Sequence, residues 1–110
     1  MTLPMNPDDE AKISALLTSL WERNLPLLHE RLEILDRAAS EAASGRMSET
    51  LRAEALEIAH KLSGSLGMFG YPHGTEIARQ IEQILKRPAV DGSSDLTALT
   101  VELRQTLLGK

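Results

Sequence analysis

Residues 51–67 read Leu-Arg-Ala-Glu-Ala-Leu-Glu-Ile-Ala-His-Lys-Leu-Ser-Gly-Ser-Leu-Gly, and the apolar spacing in this stretch decides the fold. Leu51, Ala55, Ile58, Leu62 and Leu66 recur three or four residues apart. At about 100° per residue they gather within roughly 80° of one another on a helical wheel. Such a stripe is the buried face of an amphipathic helix, and Ser48, followed by Glu49 and Thr50, supplies its start. His60 falls opposite the stripe, with Gly64 and Gly67 each within about 40° of its direction. The imidazole is therefore expected to point at solvent over bare backbone. Interior glycines cost a helix about 1 kcal/mol each relative to alanine; clearance for an approaching partner is one candidate for what compensates, and a C-cap role late in the helix is the plainer reading.

Upstream, Asn6 and Pro7 predict a helix start, with Asp8, Asp9 and Glu10 complementing the helix dipole in the first turn. Ile13, Leu16, Leu17, Leu20 and Trp21 give a stripe, expected to be buried, over residues 7–23. Pro26 removes a backbone donor and Asn24 is a good cap, so a kink or restart is expected there and two nearly continuous segments follow. The second runs from Leu25 to about Ala43 on Leu25, Leu28, Leu32, Leu35, Ala39 and Ala42, and Ser44-Gly45 ends it. Downstream, Gly67, Gly70 and Gly74 with Pro72 predict a turn. Gly74 or Thr75 would cap the next helix, which carries Ile77, Ala78, Ile81, Ile84 and Leu85 and ends at Arg87-Pro88. Asp91-Gly92-Ser93-Ser94 reads as a loop with its own cap, before a last helix striped by Leu96, Leu99, Leu103 and Leu107. Short connections favour antiparallel neighbours. The expectation is an all-α, up-down antiparallel four-helix bundle with an additional short N-terminal helix, forming one domain over residues 1–110.

The composition agrees with that class. Of 110 residues, 42% are hydrophobic, 25% charged and 3% aromatic, which suits one soluble helical domain better than a strand-rich or disordered chain. A net charge of −4 argues against a nucleic-acid partner, because phosphate-backbone binding requires clustered Lys and Arg. The absence of cysteine removes disulfides, thiolate metal sites and a thiol nucleophile. The acidic Asp8-Asp9-Glu10 run is unlike a signal peptide, and no apolar stretch is long enough for a membrane span. A cytoplasmic, monomeric protein without a membrane partner is expected.

The segment Ala59-His60-Lys61-Leu62-Ser63-Gly64-Ser65-Leu66-Gly67-Met68-Phe69-Gly70, followed by Ile81-Glu82, resembles the signature of histidine-containing phosphotransfer (HPt) domains. The motif covers about a quarter of the chain, and helix number and loop pattern extend the likeness over nearly all of it. The resemblance implies a phosphorelay intermediate with His60 as phosphoacceptor, and Glu82 orienting its imidazole from the adjacent helix. It implies Gly64 as the small residue that admits a receiver domain, and a response-regulator receiver or a sensor histidine kinase as partner. It also implies a carrier and no enzyme, without a cofactor of its own, because the Mg²⁺ of phosphoryl transfer would sit on the receiver. The family usually has Lys or another polar residue at the position where Ser63 stands. Ser63 brings no charge, which leaves Lys61 or Arg79 to contact the phosphoryl group and Gly67 to share in docking.

Two other readings compete. A helical docking or adaptor module could bind a receiver or a partner helix without taking phosphate. Ser63 and Ser65 beside His60 could suggest a nucleophile and its base, but one helix does not also supply an oxyanion hole. His29, flanked by Glu30 and Arg31, reads as part of a solvated face, and His73 as part of the Pro72–Gly74 turn. No histidine spacing supports a metal site.

Overall fold

The computed structural model describes residues 6–87 and 94–109. They form four helices, α1 (Pro7–Ala43), α2 (Glu49–Ser65), α3 (Pro72–Leu85) and α4 (Ser94–Leu108), with no strand among the described residues. α1 packs against α2 and α4, and α3 packs against the same two, so the helices ring a core of Leu, Ile and Ala. Leu32, Leu35, Leu66, Ile77, Ile81, Leu85, Leu96 and Leu103 are its largest fully buried side chains.

The helix starts follow the caps. Asn6 Oδ1 accepts from the Asp9 amide at 2.9 Å, and Ser48 Oγ accepts from the Leu51 amide at 3.0 Å, each satisfying a donor left unpaired by the first helical turn. Gly45, at φ +72°, adopts the left-handed conformation that glycine tolerates as the chain leaves α1. The expected loop at residues 91–93, the Pro88 stop and the residues before Asn6 lie outside the described residues.

Two expectations are corrected. There is no separate short N-terminal helix: α1 runs unbroken for 37 residues through Pro26. Asn24 does not cap a restart; its Nδ2 donates to the Leu20 carbonyl at 2.8 Å. The helix is held on both sides of the proline, by Trp21 against Phe69 and Tyr71 and by the core residues from Leu28 onward, so the lost backbone bond does not break it. Nor is the N-terminal stripe buried as expected. Ile13 is 43% and Leu16 59% exposed, and the buried residues of α1 begin at Leu28.

α3 starts earlier than expected, at Pro72 instead of after Gly74 or Thr75. Proline is preorganised for the first helical position, and Gly74 lies buried within the first turn. A Cβ at Gly74 would stand 3.2 Å from Leu66 Cδ1 and 3.3 Å from Leu107 Cδ2, so this glycine permits close approach and is no helix breaker. Arg52 ties α2 to the end of α3 by donating to the Leu85 carbonyl at 2.6 Å, while also pairing with Glu49. The hydrogen bond from Arg52 holds the Glu49 carboxyl below its ordinary pKa. Its contribution to stability is in place at neutral pH and is lost as acid protonates the group.

Gly74→Val places two methyl groups against Leu66 and Leu107. It should lower the stability of the bundle by about 1–3 kcal/mol, read as a reduced urea midpoint with an unchanged denaturant slope.

Candidate functional site

α2 and α3 are the most extensively paired helices, and small residues allow it: Ala55, Ala59 and Ala78 are each fully buried. At the solvent edge of this pairing, His60 projects from α2 with a side chain 75% exposed. Its Nδ1 lies 2.8 Å from Oε2 and 3.3 Å from Oε1 of Glu82 on α3, whose side chain is only 9% exposed. Glu82 and Thr100 are the buried polar side chains among the described residues.

A carboxylate taken out of water needs a donor. An ionised carboxylate only accepts, so the ring donates from Nδ1, and in the neutral imidazole the lone pair is left on Nε2. That nitrogen has no hydrogen-bond partner among the described residues. The pair thus sets the ring's tautomer and orientation with the unprotonated nitrogen turned away from the carboxylate.

The surroundings of the ring differ from expectation in one respect, the source of positive charge. Lys61 pairs with Glu57 at 3.0 Å, and Arg79 with Glu76 at 3.3 Å, each along its own helix. Ser63 donates its hydroxyl to the His60 carbonyl at 2.7 Å and Ser65 donates to that of Lys61 at 3.1 Å. The cations that line the shallow groove beside His60 and Glu82 are Arg52 and Lys86. Lys86 Nζ stands 4.0 Å from Glu82 Oε2 with its side chain 62% exposed, whereas Arg52 is occupied by Glu49 and the Leu85 carbonyl. Lys86 was not singled out in the sequence. The signal was there, because Glu82 and Lys86 sit one helical turn apart, in the order that favours an ion pair.

The two glycines have separate surroundings. Gly64 lies inside α2, and a Cβ built there meets nothing within 4 Å. Gly67 lies beyond the end of α2 in the turn before α3, where a Cβ would touch Thr75 Oγ1 at 3.6 Å. Open ground next to the ring therefore comes from Gly64. The wheel places Gly67 in the same helix because the apolar period continues to Leu66, whereas the hydrogen bond that the Tyr71 amide donates to the Leu66 carbonyl shows the chain already turning. His73 falls in the first turn of α3 and pairs with Glu102 of α4 at 2.8 Å. Among the described residues no three His, Asp or Glu side chains gather to hold a metal ion, and no helix is long and apolar enough to cross a membrane.

The family model of the Hpt domain matches residues 19–108. Protein RcaC of Microchaete diplosiphon is 31% identical over 75 residues, covering 68% of this chain and 12% of that protein's length. The chain thus spans about an eighth of the relative it matches. No solved structure gives a significant match.

Two measurements test this geometry. Gly64→Ala adds a methyl group in open space within a helix and should stabilise the protein by about 0.5–1 kcal/mol, read by chemical denaturation. Long-range ¹H–¹⁵N NMR should find the neutral His60 ring protonated at Nδ1, and Glu82→Ala should release that preference.

Proposed function

The chain belongs to the Hpt domain family, and we propose that it serves as a phosphoryl carrier in a two-component phosphorelay, with His60 as the acceptor. The observation that carries this reading is the exposed ring held through Nδ1 by a buried carboxylate, beside the open backbone of Gly64. Nε2 presents its lone pair in line with the phosphorus of a receiver's aspartyl phosphate. The N–P bond forms as the bond from phosphorus to the aspartate oxygen breaks, and the electron pair returns to the carboxylate. The Nδ1 proton stays on the ring, hydrogen-bonded to Glu82, so the cationic ring of the phosphorylated state keeps an anionic neighbour.

The partners are a receiver domain, a sensor histidine kinase, or both, and the Mg²⁺ that neutralises charge during transfer belongs to the receiver. Lys86 takes the place that the sequence left to Lys61 or Arg79, because its ammonium group shares the groove with His60 and has only a long contact to Glu82. Gly64 gives the receiver's loops room to approach. Short α1–α2 and α2–α3 connections and the ring-like packing order fit an up-down arrangement, which leaves this edge of α2 and α3 free for a partner. The chain turns nothing over alone, and cytoplasmic location follows from the partners it requires.

The test is label transfer from a ³²P-phosphorylated receiver. Wild type should take up label and His60→Gln should not, while still binding the receiver. Wild type that binds a receiver without taking label would favour the adaptor reading. Gly64→Gln should slow transfer by about 10- to 100-fold through misplacement of the receiver while the fold is kept. Lys86→Ala should slow it about tenfold, with Lys86→Arg close to wild type, as expected for a charge-assisted contact to phosphoryl oxygens.

A further inference from the structure

α1 outruns its neighbours. Its 37 residues span about 55 Å at 1.5 Å per residue, against 17, 14 and 15 residues for α2, α3 and α4, and the molecule's long axis is 53 Å. The excess lies at the N-terminal end, where Trp21 packs on Phe69 and Tyr71 of the α2–α3 turn. Residues 7–18 also precede the region matched by the Hpt family. Yet this overhang carries an apolar face. Ile13 is 43% exposed and Leu16 59%, and farther along the same helix Leu27 is 41% exposed.

Three charges border this face: Lys12, one turn before Leu16, and the pair Asp9 and Arg23, placed symmetrically about it. Asp9 and Arg23 each stand seven residues from Leu16, two helical turns away in opposite directions and therefore close to its face. Both are exposed, and neither forms an ion pair with a described residue. When two copies of such a helix pack antiparallel about a two-fold axis at Leu16, equal flanks meet. Asp9 of each copy then faces Arg23 of the other, Leu16 meets its own copy, and Ile13 and Lys12 lie opposite Ser19 and Leu20.

We propose that residues 7–23 of α1 are a homodimerisation surface, docking on the same segment of a second copy in antiparallel register centred on Leu16. The contact is small, at the low end of specific interfaces, so the dimer is weak and exchanges with monomer. The proposal does not depend on the chemistry of His60.

Sedimentation of the full chain from micromolar to millimolar concentration should show reversible dimerisation. Leu16→Glu should abolish it with helical circular dichroism retained. Asp9→Arg and Arg23→Asp should each weaken association about tenfold, and the double reversal should restore it. The natural chain has no cysteine, so single-cysteine variants report geometry independently of affinity. Leu16→Cys should form a disulfide-linked dimer under mild oxidation, and Ala15→Cys, turned about 100° away around the helix, should not. A wild-type chain that stays monomeric throughout, association insensitive to Leu16→Glu, a double reversal no better than the single ones, or equal cross-linking at positions 15 and 16 would each overturn the proposal.

Discussion

The carboxylate of Glu82 is buried beside the apolar face of α3 and finds its donor across the helix pair, in the Nδ1–H of His60. An anion in that position is costly unless it is hydrogen-bonded, so the distance between α2 and α3 and the orientation of the ring are fixed together. The alanines at 55, 59 and 78 let the two backbones come near enough for the bond to form. Gly74 does the same at the start of α3, between Leu66 and Leu107. The geometry of the histidine thus depends on small residues whose purpose is invisible at the site itself.

Around the ring the chain has left polar groups either committed or absent. Ser63 and Ser65 return their hydroxyls to carbonyls of their own helix, Lys61 and Arg79 are held by acids one turn away, and Gly64 offers no side chain. What remains is one nitrogen with a free lone pair and, at the end of α3, Lys86 with a long contact to Glu82. On the reading proposed above, that economy would leave no ordered side chain over the ring for an approaching protein to displace.

The helical period is local, and so the face of α2 that carries His60 and the open position of Gly64 could both be read from spacing within a dozen residues. Glu82 needed more than spacing: its partnership with His60 joins two helices, and only the likeness to HPt domains pointed to it. Lys86 shares the groove with His60 only because α3 packs on α2, and its link is to Glu82, one turn before it, so spacing from His60 does not reveal it. The N-terminal half of α1 shows a different limit. Periodicity identifies which face of a helix is apolar and says nothing of whether the fold supplies a helix to cover it, so Ile13 and Leu16 read as core and are exposed. Pro26 and Gly74 were both read as breaks, whereas packing on either side carries the helix through the first and close approach requires the second.

Since the ring is held by a side chain of its own chain, its orientation is set within the fold and not by contact with another molecule. On the reading proposed above, an encounter would then require alignment of two surfaces already formed, and the same ring could serve successive visitors, provided that each brings its own means of cleaving the bond.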